Sequence, residues 1–227
     1  MIVAILQARM SSTRLPGKVM KPLLNKPMLY RQIERIQLSK RIDKLVVATS
    51  NQSEDELIVK LCKEIDVCVF RGDLNNVLDR YYQAATFFNA KQIVRLTADC
   101  PLADPHLIDE LIAFHLQGGY EYSSNTVKKT FPDGLDAEIL SMPTLAAAWQ
   151  AAQLASEKEH VTPFVYNNPN RFSLGFYKNN QDLSSLRWTV DYIEDFDFVT
   201  QVYEALYPSN PAFTTQDILK VLKHIQK

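Results

Sequence analysis

Short apolar runs alternate with helix-length amphipathic stretches through the first half of this chain, which makes it an α/β protein with a mostly parallel sheet and right-handed crossovers. Two further observations point the same way. The apolar runs are compact and continuous, as strands buried on both faces are. The stretches between them open on capping residues and carry apolar side chains at helical spacing.

Met1-Ile-Val-Ala-Ile-Leu6 is the first strand, and it meets a polar loop that contains Pro16 and Gly17. Leu45-Val-Val-Ala-Thr49 repeats the pattern. Ser53 with Glu56 has the spacing of a capping box, and Leu57, Leu61 and Ile65 follow as an apolar stripe. Val67 to Phe70 is the next short strand, Asn76 to Phe88 a helix, and Ile93-Val-Arg-Leu96 a strand. Asp104-Pro105 supplies an N-cap and a proline at the first helical position, with Leu107, Leu111 and Phe114 on one face. The second half is less regular. Leu135 to Leu140 and Arg171 to Phe176 read as strands, the first alternating only in part. Phe196, Val199, Tyr203 and Leu206 mark a late helix. Ile218, Leu222 and Ile225 mark another, capped by Thr214 with Asp217. Without a linker, repeat or low-complexity segment, residues 1–227 read as one domain.

Composition narrows the function classes. With 46% hydrophobic residues the 227-residue chain can bury a sizeable core. A formal net charge of −1 gives no global attraction to nucleic acid or to a membrane surface, so neither is expected as a partner. The N-terminal run lacks a basic n-region, and no apolar run approaches the roughly 18 residues needed to span a bilayer. Cys62, Cys68 and Cys100 form no CxxC pair, which fits a reducing compartment and a cytoplasmic protein.

The densest chemistry follows the first strand. Between Gln7 and Lys26 stand Arg9, Arg14, Lys18, Lys21 and Lys26, with no acid. A loop leaving the C-terminal end of a strand is where open α/β sheets bind ligands. Its serines, Gly17 and backbone N–H groups can cradle phosphate oxygens while the cations neutralise them. The alternative is an exposed basic loop whose cations are simply solvated. Gly17-Lys18 is followed by Val19, so this is no P-loop, and the absence of a G-x-G-x-x-G fingerprint argues against a dinucleotide.

Carboxylates recur after the strands. Asp99, in Arg95-Leu-Thr97-Ala-Asp99-Cys-Pro101, stands where it could hold a Mg²⁺ that bridges phosphates, or could cap a turn. Asp104 is explained by N-capping alone. Arg187-Trp-Thr-Val-Asp191 reads as a short strand ending in an acid, and ligation and capping are equally consistent with Asp191. Glu194 and Asp195 fall in the first turn of the next helix, where its dipole favours them. Pro132-Asp133-Gly134 is a turn, and Asp136 and Glu138 after it share a side that faces either solvent or a pocket. His160, in Glu157-Lys-Glu-His160-Val-Thr-Pro163, could orient a hydroxyl, act as a base or be structural. His106, His115 and His224 read as structural, as do the cysteines.

Together these segments resemble the cytidylyltransferase family, in particular its spore-coat polysaccharide (SpsF-type) branch. The resemblance rests on Ala-Ile-Leu-Gln-Ala-Arg9 through Leu-Pro-Gly17-Lys18, Arg-Leu-Thr-Ala-Asp99-Cys-Pro-Leu, Pro-Asp-Gly-Leu-Asp136, Glu-His160-Val-Thr-Pro and Thr-Val-Asp191-x-x-Glu-Asp195. It runs in order across nearly the whole chain. It implies a Rossmann-like α/β fold of the nucleotide-diphospho-sugar transferase type. It also implies transfer of CMP from CTP to a sugar, a 2-keto sugar acid in the acylneuraminate and 3-deoxy-manno-octulosonate relatives, with release of pyrophosphate. By this resemblance Leu6, Ala8, Arg9, Ser12, Arg14, Gly17, Lys18, Arg71, Arg80 and Asp99 surround the nucleotide, and Arg14, Lys18 and Asp99 serve the chemistry. Asp99 and Asp191 would hold Mg²⁺, which requires the two carboxylates to lie within roughly 8 Å of each other. Asp136, Glu157 and His160 would lie toward the sugar. A homodimer is likewise implied. Arg187, ahead of the strand that ends at Asp191, is the expected partner for an acceptor carboxylate. The rival activities are a sugar-1-phosphate pyrophosphorylase, a glycosyltransferase on a related fold and a non-catalytic nucleotide binder. A glycosyltransferase typically uses D-x-D, and Asp195-Phe-Asp197 has that spacing but falls in a predicted helix.

Overall fold

The structure, a computed structural model, describes residues 1–225. β1 (Ile2–Gln7) runs into the basic loop, where Lys18–Met20 form one 3-10 turn. A small ribbon of β2 (Pro22–Leu23) and β3 (Lys26–Pro27) precedes α1 (Met28–Ile36). β4 (Lys44–Ser50), α2 (Glu56–Glu64), β5 (Cys68–Gly72), α3 (Val77–Phe87) and β6 (Gln92–Thr97) complete the alternating half. Then follow α4 (Pro105–Gly118), β7 (Tyr122–Ser124), β8 (Glu138–Ser141), α5 (Met142–Ala151), α6 (Ala155–His160), α7 (Pro163–Tyr166), β9 (Leu174–Phe176), α8 (Ile193–Leu206) and α9 (Thr215–Ile225). No helix among the described residues is long and apolar enough to cross a membrane.

The main sheet has the order β5-β4-β1-β6-β8-β7-β9. β5, β4, β1 and β6 are parallel. From β1 the chain builds outward through β4 and β5, then returns to place β6 on the other side of β1. That reversal opens a crevice at the C-terminal ends of β1 and β6, where Gln7 pairs with Thr97. β8 then enters antiparallel to β6, and β7 antiparallel to β8.

The alternation of side chains along β1 explains its burial. Ala4 and Leu6 join one core with α1, α2 and α4, while Val3 and Ile5 join a second with α3 and α5. Burying each such aliphatic side chain contributes roughly 1.5–3 kcal/mol. A third core gathers Leu23, Trp188, Val190, Phe196, Tyr203 and Phe213 beneath α8 and α9.

Several expectations are corrected. Ser53 and Glu56 form no capping box, because Ser53–Asp55 are a 3-10 turn and Asp55 bonds backward to Ser50. The strand expected from Leu135 begins at Glu138, and the one expected from Arg171 begins at Leu174. Residues 187–190 are no strand of the sheet; an isolated bridge joins Arg187 to Asp133. α1 escapes the sequence pattern because it buries Arg31, Gln32 and Arg35 among its apolar residues. Arg35 is tolerated there because it donates to the Ala103 and Phe213 carbonyls and lies over the Phe213 ring. The Thr214–Asp217 cap forms as expected, whereas the side chains of Ile225 and His224 lie outside the described residues.

Candidate functional site

The crevice between β1 and β6 holds a cavity of about 380 Å³. Arg9, Ser12 and Arg14 come to it from the loop after β1, and Asp99 from the loop after β6. The buried carboxylate of Asp55 sets the first loop's position: it accepts N–H bonds from Met10 and Ser50 and the Ser50 hydroxyl. Gly17 turns the loop with φ of 69°, a value favouring glycine, and its N–H donates to the Met10 carbonyl.

Lys18 organises the floor. Its ammonium donates to the Val190 carbonyl at 2.6 Å, to Asp191 Oδ1 at 3.1 Å and to Asp99 Oδ2 at 3.4 Å. Both carboxylate oxygens thus neighbour one nitrogen, and their separation meets the 8 Å requirement by the triangle inequality alone. Asp191 also takes Arg14 Nη2 at 2.9 Å and Arg187 Nη2 at 3.1 Å. Burial opposes the charge on Asp99, but Lys18 and the Thr97 hydroxyl outweigh it and hold the carboxyl below its ordinary value.

Asp191 reaches this place by packing, without strand pairing. Trp188 and Val190 are buried in the third core, and the Val190 N–H and Thr189 hydroxyl both donate to the Asp99 carbonyl. Gly134 makes the docking possible. Its φ is 108°, and a Cβ there would meet Thr189 N and Trp188 C at 2.5 Å. Asp195, the third residue of α8, reaches back to accept the Asp191 and Tyr192 N–H groups and so ties the segment to the start of that helix.

A second cavity, of about 580 Å³, shares Arg95, Thr97 and His160 with the first. Asp136, Glu138 and Lys129 line it, so the shared side of Asp136 and Glu138 is a pocket. Burial first, then Asp133, raises the Asp136 carboxyl to about 6. Thr162 enters from beyond Val161, whose φ of 72° is costly for a β-branched residue, about 1–3 kcal/mol. A third cavity adjoins the first through Arg9, Val77 and Glu159, with Asn75 and Asn76 on its far wall.

Not every expected residue faces these cavities. Leu6 lies in the core. Arg71 braces the turn after β4, bonded to Glu56 and to the Ser50 and Gln52 carbonyls. Glu157 caps α6 through the Gln153 and Leu154 N–H groups, and its neighbour Glu159 lines the crevice instead. Arg187 is committed to Asp191 and Asp195, because the segment expected as a strand folds back onto the start of α8. Arg80 is fully buried and donates to the Asp73 carbonyl, lining none of the three cavities. His115 is structural as expected, between Ser123 and Gln92. So is Asp104, which caps α4 and also accepts from Thr215. The sequence pattern gave Arg95 no role, its one hint being an arginine in the middle of an otherwise apolar run, and it placed Glu138 beside Asp136 without pairing it to Arg95.

The carboxylate pair suits a hard divalent cation, which takes one or two carboxylates with phosphate oxygens and water completing its shell. Asp99 keeps a partly exposed side chain toward the cavity. Among the described residues no cluster of three or more metal-ligating side chains exists, so any ion here depends on substrate oxygens.

Comparisons with known proteins agree with this geometry. The family model described as cytidylyltransferase matches residues 3–226. The chain is 33% identical over 210 residues to the spore coat polysaccharide biosynthesis protein SpsF of Bacillus subtilis, covering 89% of this chain and 86% of that protein. The structure of a cytidylyltransferase from Leptospira borgpetersenii superposes with a TM-score of 0.94 at 34% identity, covering 99% of this chain and 94% of that one. CMP:2-keto-3-deoxy-manno-octonic acid synthetase, solved with CTP, shares the fold at a TM-score of 0.67 and 13% identity, over 90% and 98% of the two chains. Sequence and fold concur over essentially the full length: the chain belongs to the cytidylyltransferase family.

Proposed function

We propose that this chain, acting as one nucleotidyltransferase domain, transfers CMP from CTP to a sugar and releases pyrophosphate. The acceptor we infer is a 2-keto sugar acid, activated in the cytoplasm for a cell-surface polysaccharide. The observation that carries this reading is the wall of Arg95, Thr97 and His160 shared by two cavities. One cavity has the cations for a triphosphate, and the other has the room and polar lining for a sugar. The relative concerned with spore coat polysaccharide and the shared fold of the CTP-bound synthetase support the same reading.

Arg9 and Arg14 would bind phosphate oxygens by charge-assisted hydrogen bonds. The third cavity, beyond Arg9, would take the nucleoside. A sugar hydroxyl in the second cavity would attack the α-phosphorus, forming the new P–O bond as the bond to the pyrophosphate oxygen breaks. His160 stands in the shared wall, where a base for that hydroxyl's proton is needed. Holding the two reactants in adjoining cavities supplies the proximity such a transfer requires. Asp99 and Asp191 would hold Mg²⁺, with Lys18 and Arg14 keeping the pair in place. Bound there, the ion would polarise the α-phosphate and offset repulsion between phosphates and carboxylates.

The test is pyrophosphate release across the four NTPs against keto-sugar acids and sugar 1-phosphates. Turnover with CTP and a sugar acid is expected. Turnover only with a sugar 1-phosphate would make this a pyrophosphorylase, and CTP binding without any release would make it a nucleotide binder.

A further inference from the structure

Arg95 is an anomaly in its strand. Along β6 the neighbouring Val94 and Leu96 enter one core and Ile93 enters the other. Arg95 shares the face of Ile93, at the point where that face leaves the core and becomes cavity wall. The antiparallel register sets Glu138 directly opposite it, Cα partner to Cα partner. Arg95 donates through Nη1 to Glu138 Oε2, while Oε1 accepts the Tyr122 hydroxyl at 2.5 Å and the Thr162 hydroxyl at 2.6 Å. Three donors, from β6, β7 and the residue before α7, thus converge on one buried carboxylate, which in turn fixes the guanidinium.

This network is poorly explained by stability. A buried ion pair is often no better than a packed apolar pair of the same size. Nor does Glu138 use up the guanidinium, which has five donors. Nε is buried without a partner, and Nη2 bonds no protein atom among the described residues. Arg95 lines both cavities. Burial opposes its charge, but Glu138, together with Tyr81 and Tyr122, more than offsets this, and it remains a guanidinium.

The charge balance of the two cavities says what those donors meet. The triphosphate cavity already has Arg9, Arg14 and Lys18. The acceptor cavity has two carboxylates, Asp136 and Glu138, and beyond Arg95 its basic lining is the exposed Lys129 and His160. An anionic acceptor would be repelled there without a fixed cation. Arg187 does not line this cavity, and its Nη2 is paired with Asp191 and Asp195.

We propose that Arg95, clamped by Glu138, binds the anionic group of the acceptor and so selects acidic sugars over neutral ones. Arg95 is the specificity residue, and Glu138 is its positioning residue. The proposal rests on the sugar-acceptor reading above.

Steady-state kinetics with CTP and two probe acids, 3-deoxy-manno-octulosonate and N-acetylneuraminate, test it, with the neutral sugars mannose and N-acetylmannosamine as controls. Arg95→Gln should raise KM for the acid roughly 10- to 100-fold, the worth of a charged hydrogen bond, while KM for CTP moves by less than about threefold. Arg95→Lys should recover part of the loss, because it keeps the charge and loses the planar fork. Glu138→Gln should also raise the acid's KM ahead of any fall in kcat. An equal rise in KM for CTP would assign Arg95 to the α-phosphate and overturn the proposal, as would unchanged kinetics. If Arg95→Gln fails to fold, the double variant Arg95→Met with Glu138→Leu replaces the pair by an apolar one. A folded double variant that still prefers acids over neutral sugars would equally overturn it. Failure of the underlying reading shows elsewhere: wild-type protein would then bind CTP in calorimetry yet turn over neither acid, and this inference would fall with it.

Discussion

The Lys18 ammonium lies 3.1 Å from Asp191 Oδ1, and each side chain is about nine-tenths buried. A cation expected to greet phosphates is therefore also a structural counter-ion. Lys18→Ala would take the shared ammonium from both carboxylates, leaving Asp191 to Arg14 and Arg187 and Asp99 to the Thr97 hydroxyl, so it should cost roughly 1–3 kcal/mol of stability as well as activity. Urea unfolding measures the first and pyrophosphate release the second. A stability equal to that of wild type would show that the pair contributes nothing to the fold.

The carboxylates themselves separate charge from shape. Asp99→Asn and Asp191→Asn should each lower kcat by roughly 10²- to 10³-fold, the usual loss when a group stabilising developing charge is removed. A chelator should abolish activity, and added Mg²⁺ or Mn²⁺ should restore it. Activity that survives exhaustive chelation would exclude the metal assignment.

Gly134 offers a test of how Asp191 is delivered. Gly134→Ala forces a strained φ and a Cβ contact at 2.5 Å with the Trp188–Thr189 backbone. The expected cost is about 2–3 kcal/mol. Because the displaced segment holds Asp191, kcat should fall even under conditions where the variant is fully folded. Differential scanning calorimetry with parallel assays would read both effects, and a neutral substitution would contradict the docking.

Asp136 predicts a pH dependence. Its folded-state carboxyl is raised to about 6 by burial and the neighbouring Asp133, whereas in the unfolded chain it titrates near about 3.9. The folded form therefore binds the proton more tightly, and stability falls as pH rises from about 4 to 6. Asp136→Asn should remove that loss, stabilising the protein by about 3 kcal/mol at pH 7 and by only about 0.5 kcal/mol at pH 4. Midpoints of urea unfolding at the two pH values check it. An equal shift at both would mean that ionisation is not the cause.

The parallel half of the sheet and the ends of its strands were legible in local pattern. A compact apolar run such as Met1–Leu6 is buried on both faces from Val3 to Leu6, and the loop that follows lands at the sheet's C-terminal edge by topology. Asp99 was legible for the same reason. Asp191 was also named, but for a cause the structure replaces: it arrives on a segment held by Trp188, Val190 and the close approach at Gly134. Arg71, Glu157 and Arg187 carry the right charges, yet each is consumed by a neighbour, and charge in a sequence does not say who will neutralise it. Arg95 and Glu138 become a pair only through the antiparallel register of β6 and β8, across 43 residues of chain. Local periodicity decides which residues are buried and where strands end. Which charged groups meet there depends on long-range packing, whose contacts leave no period in the sequence.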